Sequence, residues 1–170
     1  MHKKLAISVI VALVLACASI TLASASAPPQ SAANTDNHGK VQVIQLVART
    51  VREEFLDLDR NQRPSLGDQL VFFDNLFRDS KKVGTDGGAC TVTDVSKDLS
   101  KVTVNCVFTL SLPRGQITVQ GLITFNEAAP APPFFVAITG GTGAYRTAHG
   151  EMKVTEVSQT EHPYTLYLIL

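Results

Sequence analysis

From Lys40 onward, apolar and polar residues follow one another in short runs, without the three-and-four spacing of an amphipathic helix. Val41 to Val51 is rich in β-branched residues, and Gln69 to Phe77 is apolar and aromatic. Ala89 to Val95 and Val102 to Leu112 alternate apolar residues with Thr or Asn. Gln116 to Phe125 follows Arg114-Gly115, Phe134 to Thr139 follows a proline-rich loop, and Glu151 to Val157 precedes a last run, Tyr164 to Leu170. Gly, Pro, Asn, Asp and Ser separate these runs. The spacing predicts about eight antiparallel strands, hence an all-β sandwich or barrel; closure is the simpler way to leave no unpaired edge. The chain carries no internal repeat.

One hairpin carries its own register. Asp94 to Lys101 is polar and turn-prone, so the strands on either side of it pair. Centring the turn on Asp98 sets Val92 opposite Val104 and Cys90 opposite Cys106, on the face that also holds Phe108 and Leu110. Thr91, Thr93, Thr103, Asn105 and Thr109 take the other face. Two cysteines facing each other in an oxidising compartment form a disulfide, and a Cys90–Cys106 bond is the expectation; the alternative is two inert buried thiols.

The first residues read differently. Met1-His2-Lys3-Lys4 is basic, Leu5 to Leu15 is apolar or small, and Ala23-Ser24-Ala25 is a small-x-small cleavage site. Residues 1–25 therefore read as a secretory signal, 26–39 as a disordered leader rich in Pro, Ser, Ala and Asn, and 40–170 as the barrel. The expectation is a secreted protein with no stable membrane insertion after the signal is removed. In the alternative, Val14-Leu15-Ala16-Cys17 acts as a lipoprotein box and Cys17 carries a lipid anchor. Lys plus Arg and Asp plus Glu are 15 each, and loss of Lys3 and Lys4 leaves 13 against 15. That balance offers no footprint for nucleic acid.

Motifs for familiar chemistry are weak. Thr139-Gly140-Gly141-Thr142-Gly143 lacks the Gly-Lys-Ser/Thr ending of a phosphate loop and reads as a tight connection needing positive φ. Asp57, Asp59 and Asn61 with Asp68 mimic a calcium loop, but Gln62 stands where that loop needs Gly. His38, His149 and His162 have no ligand spacing among themselves, and there is no Gly-x-Ser-x-Gly or His-Glu-x-x-His. No metal and no cofactor is expected.

Several stretches together resemble a known family. Ser65-Leu66-Gly67-Asp68 with Phe72, Leu76 and Phe77, then Gly84 and Gly88-Ala89-Cys90, is similar to the second and third strands of plant allene oxide cyclases. Gly115-Gln116-Ile117-Thr118-Val119-Gln120-Gly121 and Val136-Ala137-Ile138-Thr139-Gly140-Gly141-Thr142-Gly143 resemble two further stretches of theirs. Tyr145-Arg146-Thr147-Ala148-His149-Gly150 resembles a segment of dirigent proteins, a sister group. The resemblance implies an eight-stranded, lipocalin-like antiparallel barrel with a largely apolar cavity, often assembled as a homo-trimer. In the plant cyclases a glutamate and two asparagines handle the epoxide; by alignment their positions hold Ala48, Thr50 and Asp74, so the glutamate is missing and neither asparagine is retained. Glu53 and Glu54 lie nearby, out of alignment. Phe72 and Cys90 match apolar cavity positions.

Two functions follow from that resemblance. In one, the barrel is an isomerase or cyclase-like enzyme that binds an apolar small molecule through Thr50, Leu70, Phe72 and Cys90 and steers its cyclisation or coupling, with Asp74 as the acid. In the other it is a non-catalytic, lipocalin-like binding or carrier protein. Alternation puts Leu70, Phe72, Asp74 and Leu76 on one face. Phe73 and Phe77 make the opposite face apolar too, so Asp74 lies either inside the barrel or outside at a strand end. Apolarity on both faces is also what a strand buried against a neighbouring subunit would show.

Overall fold

The computed structural model describes residues 40–126 and 132–170. The stretches read as a signal and a leader, with Cys17, lie outside these residues, as does most of the proline-rich loop. Eight strands form a closed barrel in sequence order, each antiparallel to the next: β1 Gln42–Leu56, β2 Gln69–Arg78, β3 Lys81–Val95, β4 Lys101–Leu112, β5 Gly115–Asn126, β6 Phe134–Gly141, β7 His149–Val154 and β8 Glu161–Ile169. Pairing of Gln42 to Arg49 with Leu168 to Glu161 closes the cylinder. The expected all-β barrel is thus the fold. None of the described helices is long and apolar enough to cross a membrane.

Strand boundaries differ from the pattern chiefly in β3, which begins at Lys81 and not near Ala89. Gly84, Gly87 and Gly88 interrupt the apolar alternation there, because glycine offers no side chain to mark a face. The β2–β3 turn is the two residues Asp79 and Ser80, both at positive φ, which is the hairpin connection that suits the twist of the strands. Between β6 and β7, Gly143 at φ 58° opens a short 3₁₀ turn, Gly143–Tyr145, so the glycine-rich stretch is a tight connection.

Inward positions follow the period of two. Leu76, Leu110, Ile117, Val119, Met152, Leu166 and Leu168 are fully buried, and Tyr145 and Ala148 of the β6–β7 connection are buried with them. Their packing fills the half of the barrel nearest the β2–β3 and β4–β5 turns, as an eight-stranded cylinder allows. On the outer surface Phe73 and Val107 are about half exposed, so both faces of β2 do carry aromatic residues.

The hairpin register is the expected one: Cys90 pairs with Cys106 and Val92 with Val104. Cys90 and Cys106 are joined, closing a separation of 16 residues. A loop of that length stabilises the fold by about 3 kcal/mol through the unfolded chain. A Cys90→Ala/Cys106→Ala double variant should lose that amount in urea denaturation under oxidising conditions. An unchanged midpoint would show that the bond contributes nothing.

Candidate functional site

The half of the barrel toward the end of β1 and the start of β2 is hollow. Its cavity, about 100 Å³, is walled by Leu70 and Phe72 of β2, Phe108 of β4, Ile123 and Phe125 of β5, Phe134 of β6 and Val154 of β7, with the Cys90–Cys106 disulfide in the wall. Phe72 and Phe108 meet edge to face at 5.5 Å, and Phe108 lies 6.4 Å from the Tyr164 ring. The slot continues into a vestibule of about 830 Å³ that shares Thr50, Glu53, Leu70, Phe125, Glu156 and His162 with it and is bounded by residues 157–160. A groove of comparable size along Gln42–Val47 and Pro163–Thr165 has neither of the two buried aspartates described next in its lining.

The floor of the cavity is polar: Thr50 and Asp74 line it, and Asp86 adjoins Asp74 just outside the lining. Thr50 of β1, Asp74 of β2 and Asp86 of β3 stand in one cross-strand row, Thr50 opposite Asp74 and Asp74 opposite Asp86. Both aspartates are only 2% exposed. Asp74 Oδ1 and both Asp86 oxygens are buried without a hydrogen-bond partner of good geometry. Burial raises the Asp74 pKa; the Thr50 hydroxyl and His162 pull it back, and Glu53 pushes it up. Burial, then the Asp74 charge, carries Asp86 up to about 7, against the Tyr164 hydroxyl beside it. Tyr164 is pushed well above its ordinary value by burial and then by the charges of Asp86 and Asp74. Two carboxyls set opposite each other in a dry site resist ionising together, so the pair keeps a proton where isolated aspartates have lost theirs.

Of the residues singled out from the sequence, Asp74, Thr50, Leu70, Phe72, Cys90 and Cys106 all line this cavity. Asp74 is inside the barrel and not at an outer strand end. Tyr164, His162 and Glu156 line it too without being among those residues, and Asp86 adjoins it through Asp74. Asp86 had a signal: it is in phase with Cys90 and Val92, and carrying the alternation back through Gly88 turns it inward. Tyr164 is likewise in phase with Leu166 and Leu168.

The calcium-like loop draws its aspartates together. Ligand atoms of Asp57, Asp59 and Asp68 come within 4.8 Å of one another. Their oxygens accept bonds from the loop itself: Leu58 N–H to Asp68 Oδ1 at 2.8 Å, Ser65 N–H to Asp68 Oδ2 at 2.8 Å, and Gln62 N–H to Asp57 Oδ2 at 2.7 Å. The Leu58 N–H holds the Asp68 carboxyl below its usual pKa against the effect of burial, with help from Ser65. These bonds tie the β1–β2 connection to the start of β2.

Residues 44–168 match the model of the allene oxide cyclase barrel-like domain, and the chain belongs to that family. Among solved structures, a pyocyanin demethylase is 34% identical with a TM-score of 0.66, over 75% of this chain and 99% of that one. An exo-specific intermolecular Diels–Alderase, AbnU, is 17% identical with a TM-score of 0.58, over 76% and 98%. The pterocarpan synthase dirigent protein PsPTS1 is 19% identical with a TM-score of 0.57, over 76% and 95%. The last two share the fold.

Proposed function

We propose that this barrel is an enzyme that holds an apolar, conjugated small molecule in the cavity and drives its rearrangement, a cyclisation, coupling or kindred conversion, by moving a proton at the Asp74–Asp86 pair. The observation that carries the reading is the pair itself: two buried, opposed carboxyls under apolar walls. A protonated carboxyl with a pKa near neutrality is suited to give a proton, and its ionised neighbour to take one. The walls select by shape, folding or orienting the ligand against that floor. Relatives with this barrel are named for conversions of small organic molecules, and the one at 34% identity is named for pyocyanin.

Pyocyanin is therefore the first probe. The wild-type protein is expected to bind it and convert it, with products followed by liquid chromatography and mass spectrometry. Asp86→Asn should cut the conversion rate by about 10²–10⁴ while leaving capture within a few-fold. Conversion at the wild-type rate by Asp86→Asn and Asp74→Asn alike would remove the pair from the chemistry. The second reading, a carrier with no chemistry of its own, is favoured by Ala48 and Thr50 at positions where plant cyclases hold reacting groups. It takes over if pyocyanin and other conjugated ligands are captured and released unchanged.

A further inference from the structure

We infer that the cavity is built for a ligand with a cationic nitrogen on a flat apolar framework, and that it turns away ligands whose polar end is a carboxylate. The inference rests on the cavity being the ligand site and adds the charge of what it takes. Asp74 Oδ1, in the lining, is buried with no hydrogen-bond partner among the described residues, and the two Asp86 oxygens next to the lining meet only the Tyr164 hydroxyl, in poor geometry. Buried acceptors are normally satisfied, and a ligand that brings positive charge against Asp74 Oδ1 supplies what the described residues do not.

The surrounding charges point the same way. Asp86 on β3 is faced by Asp74 from β2 and Tyr164 from β8, while β4 presents Phe108 and Leu110; Asp74 in turn feels His162 of β8 and Glu53 of β1. Glu53 and Glu156 stand at the mouth, and among the described residues His162 is the sole basic side chain in the lining. Arg49 is engaged elsewhere, with Glu161 at 3.2 Å and over the Phe77 ring at 4.7 Å. A ligand carboxylate would enter past two glutamates and end against an acidic floor in a low dielectric, where like charges repel strongly. A delocalised cation meets the opposite situation, and the rings of Phe72, Phe108, Phe125 and Phe134 offer it their faces.

Three two-ring probes of matched shape test this: N-methylquinolinium, 1-methylnaphthalene and 1-naphthoate, titrated calorimetrically into the wild-type protein. The cation is expected to bind about tenfold tighter than 1-methylnaphthalene at pH 8, and 1-naphthoate more weakly than either. The charge of N-methylquinolinium does not change with pH. Its affinity should rise as the solution passes through about pH 7, where Asp86 loses its proton, and should level off above it. Asp86→Asn should flatten that rise; should the variant fail to fold, the wild-type pH series and the three-probe order still decide. If 1-naphthoate binds as well as 1-methylnaphthalene, or the cation binds no better, the charge preference is wrong while the ligand cavity stands. If none of the three binds, the cavity reading falls and the preference with it.

Discussion

Between pH 4 and pH 8 the barrel is expected to lose about 4 kcal/mol of folding stability through Asp86. In the unfolded chain this carboxyl titrates near 3.8, and in the barrel at about 7. Each tenfold difference in proton affinity is about 1.4 kcal/mol. Between the two values the folded protein binds a proton that the unfolded chain does not, so raising the pH favours unfolding. The contribution is fully present below about pH 3.8 and is lost as the pH rises through about 7. Asp74, also raised, acts in the same direction. Asp68 and Asp98 are lowered, so their contributions are lost only as the pH falls below the ordinary aspartate value, outside this window. Urea denaturation of wild type and Asp86→Asn at pH 4, 6 and 8 tests the expectation: the wild type should weaken steeply and the variant much less. A wild-type stability that is flat or rises over this range would mean that Asp86 is neither dry nor close to a second charge. The stability lost on deprotonation reflects the cost of holding an ionisable pair where water does not reach it.

Gly88→Val should cost about 4 kcal/mol or more. Gly88 lies on β3 between Phe72 and Phe108, its partners on either side. A Cβ there would lie 2.3 Å from the Val107 carbonyl oxygen and 2.3 Å from Phe108 Cβ. The first of these contacts is with backbone held in the sheet ladder, which cannot swing aside as a side-chain tip would. Overpacking into side-chain space costs about 1–3 kcal/mol, and a clash with backbone lies beyond that range. Gly87 is the control. It points outward, and its added Cβ would meet the Phe72 carbonyl oxygen at 3.1 Å and Phe73 Cδ2 at 3.2 Å. Gly87→Ala should therefore cost about 1 kcal/mol or less. Equal losses for the two variants would show that β3 is free to shift away from β4. The edge-to-face pair Phe72–Phe108 fits across the strand because Gly88 leaves the space between them empty. Ligand capture by any Gly88 variant that still folds should fall with stability.

Asp74 and Asp86 show where reading the chain succeeds and where it stops. Asp74 sits in a run, Leu70 to Leu76, whose inward partners are apolar and easily recognised, so its place was open only between inside and outside. Asp86 sits among glycines, which have no side chains to mark the faces, so alternation alone does not reach back to it. His162 and Glu156 carry no local mark at all. They lie at the start of a strand and in a connection, and they matter because the vestibule is there.

Alternation and punctuation along the chain were sufficient for the eight strands, the all-β class and the Cys90–Cys106 register, because a strand's faces repeat every two residues and a short turn ties neighbouring partners locally. Tertiary structure alone decided that one half of the cylinder is packed solid and the other hollow. It also decided that Asp74 in the floor of the hollow is backed by Asp86, with Tyr164 beside both. Closing β8 onto β1 carries Tyr164 from the last strand to face Asp86 of the third across the lumen. Removal of water there, a property of the closed barrel and not of any stretch of sequence, is what raises the proton affinity of both acids.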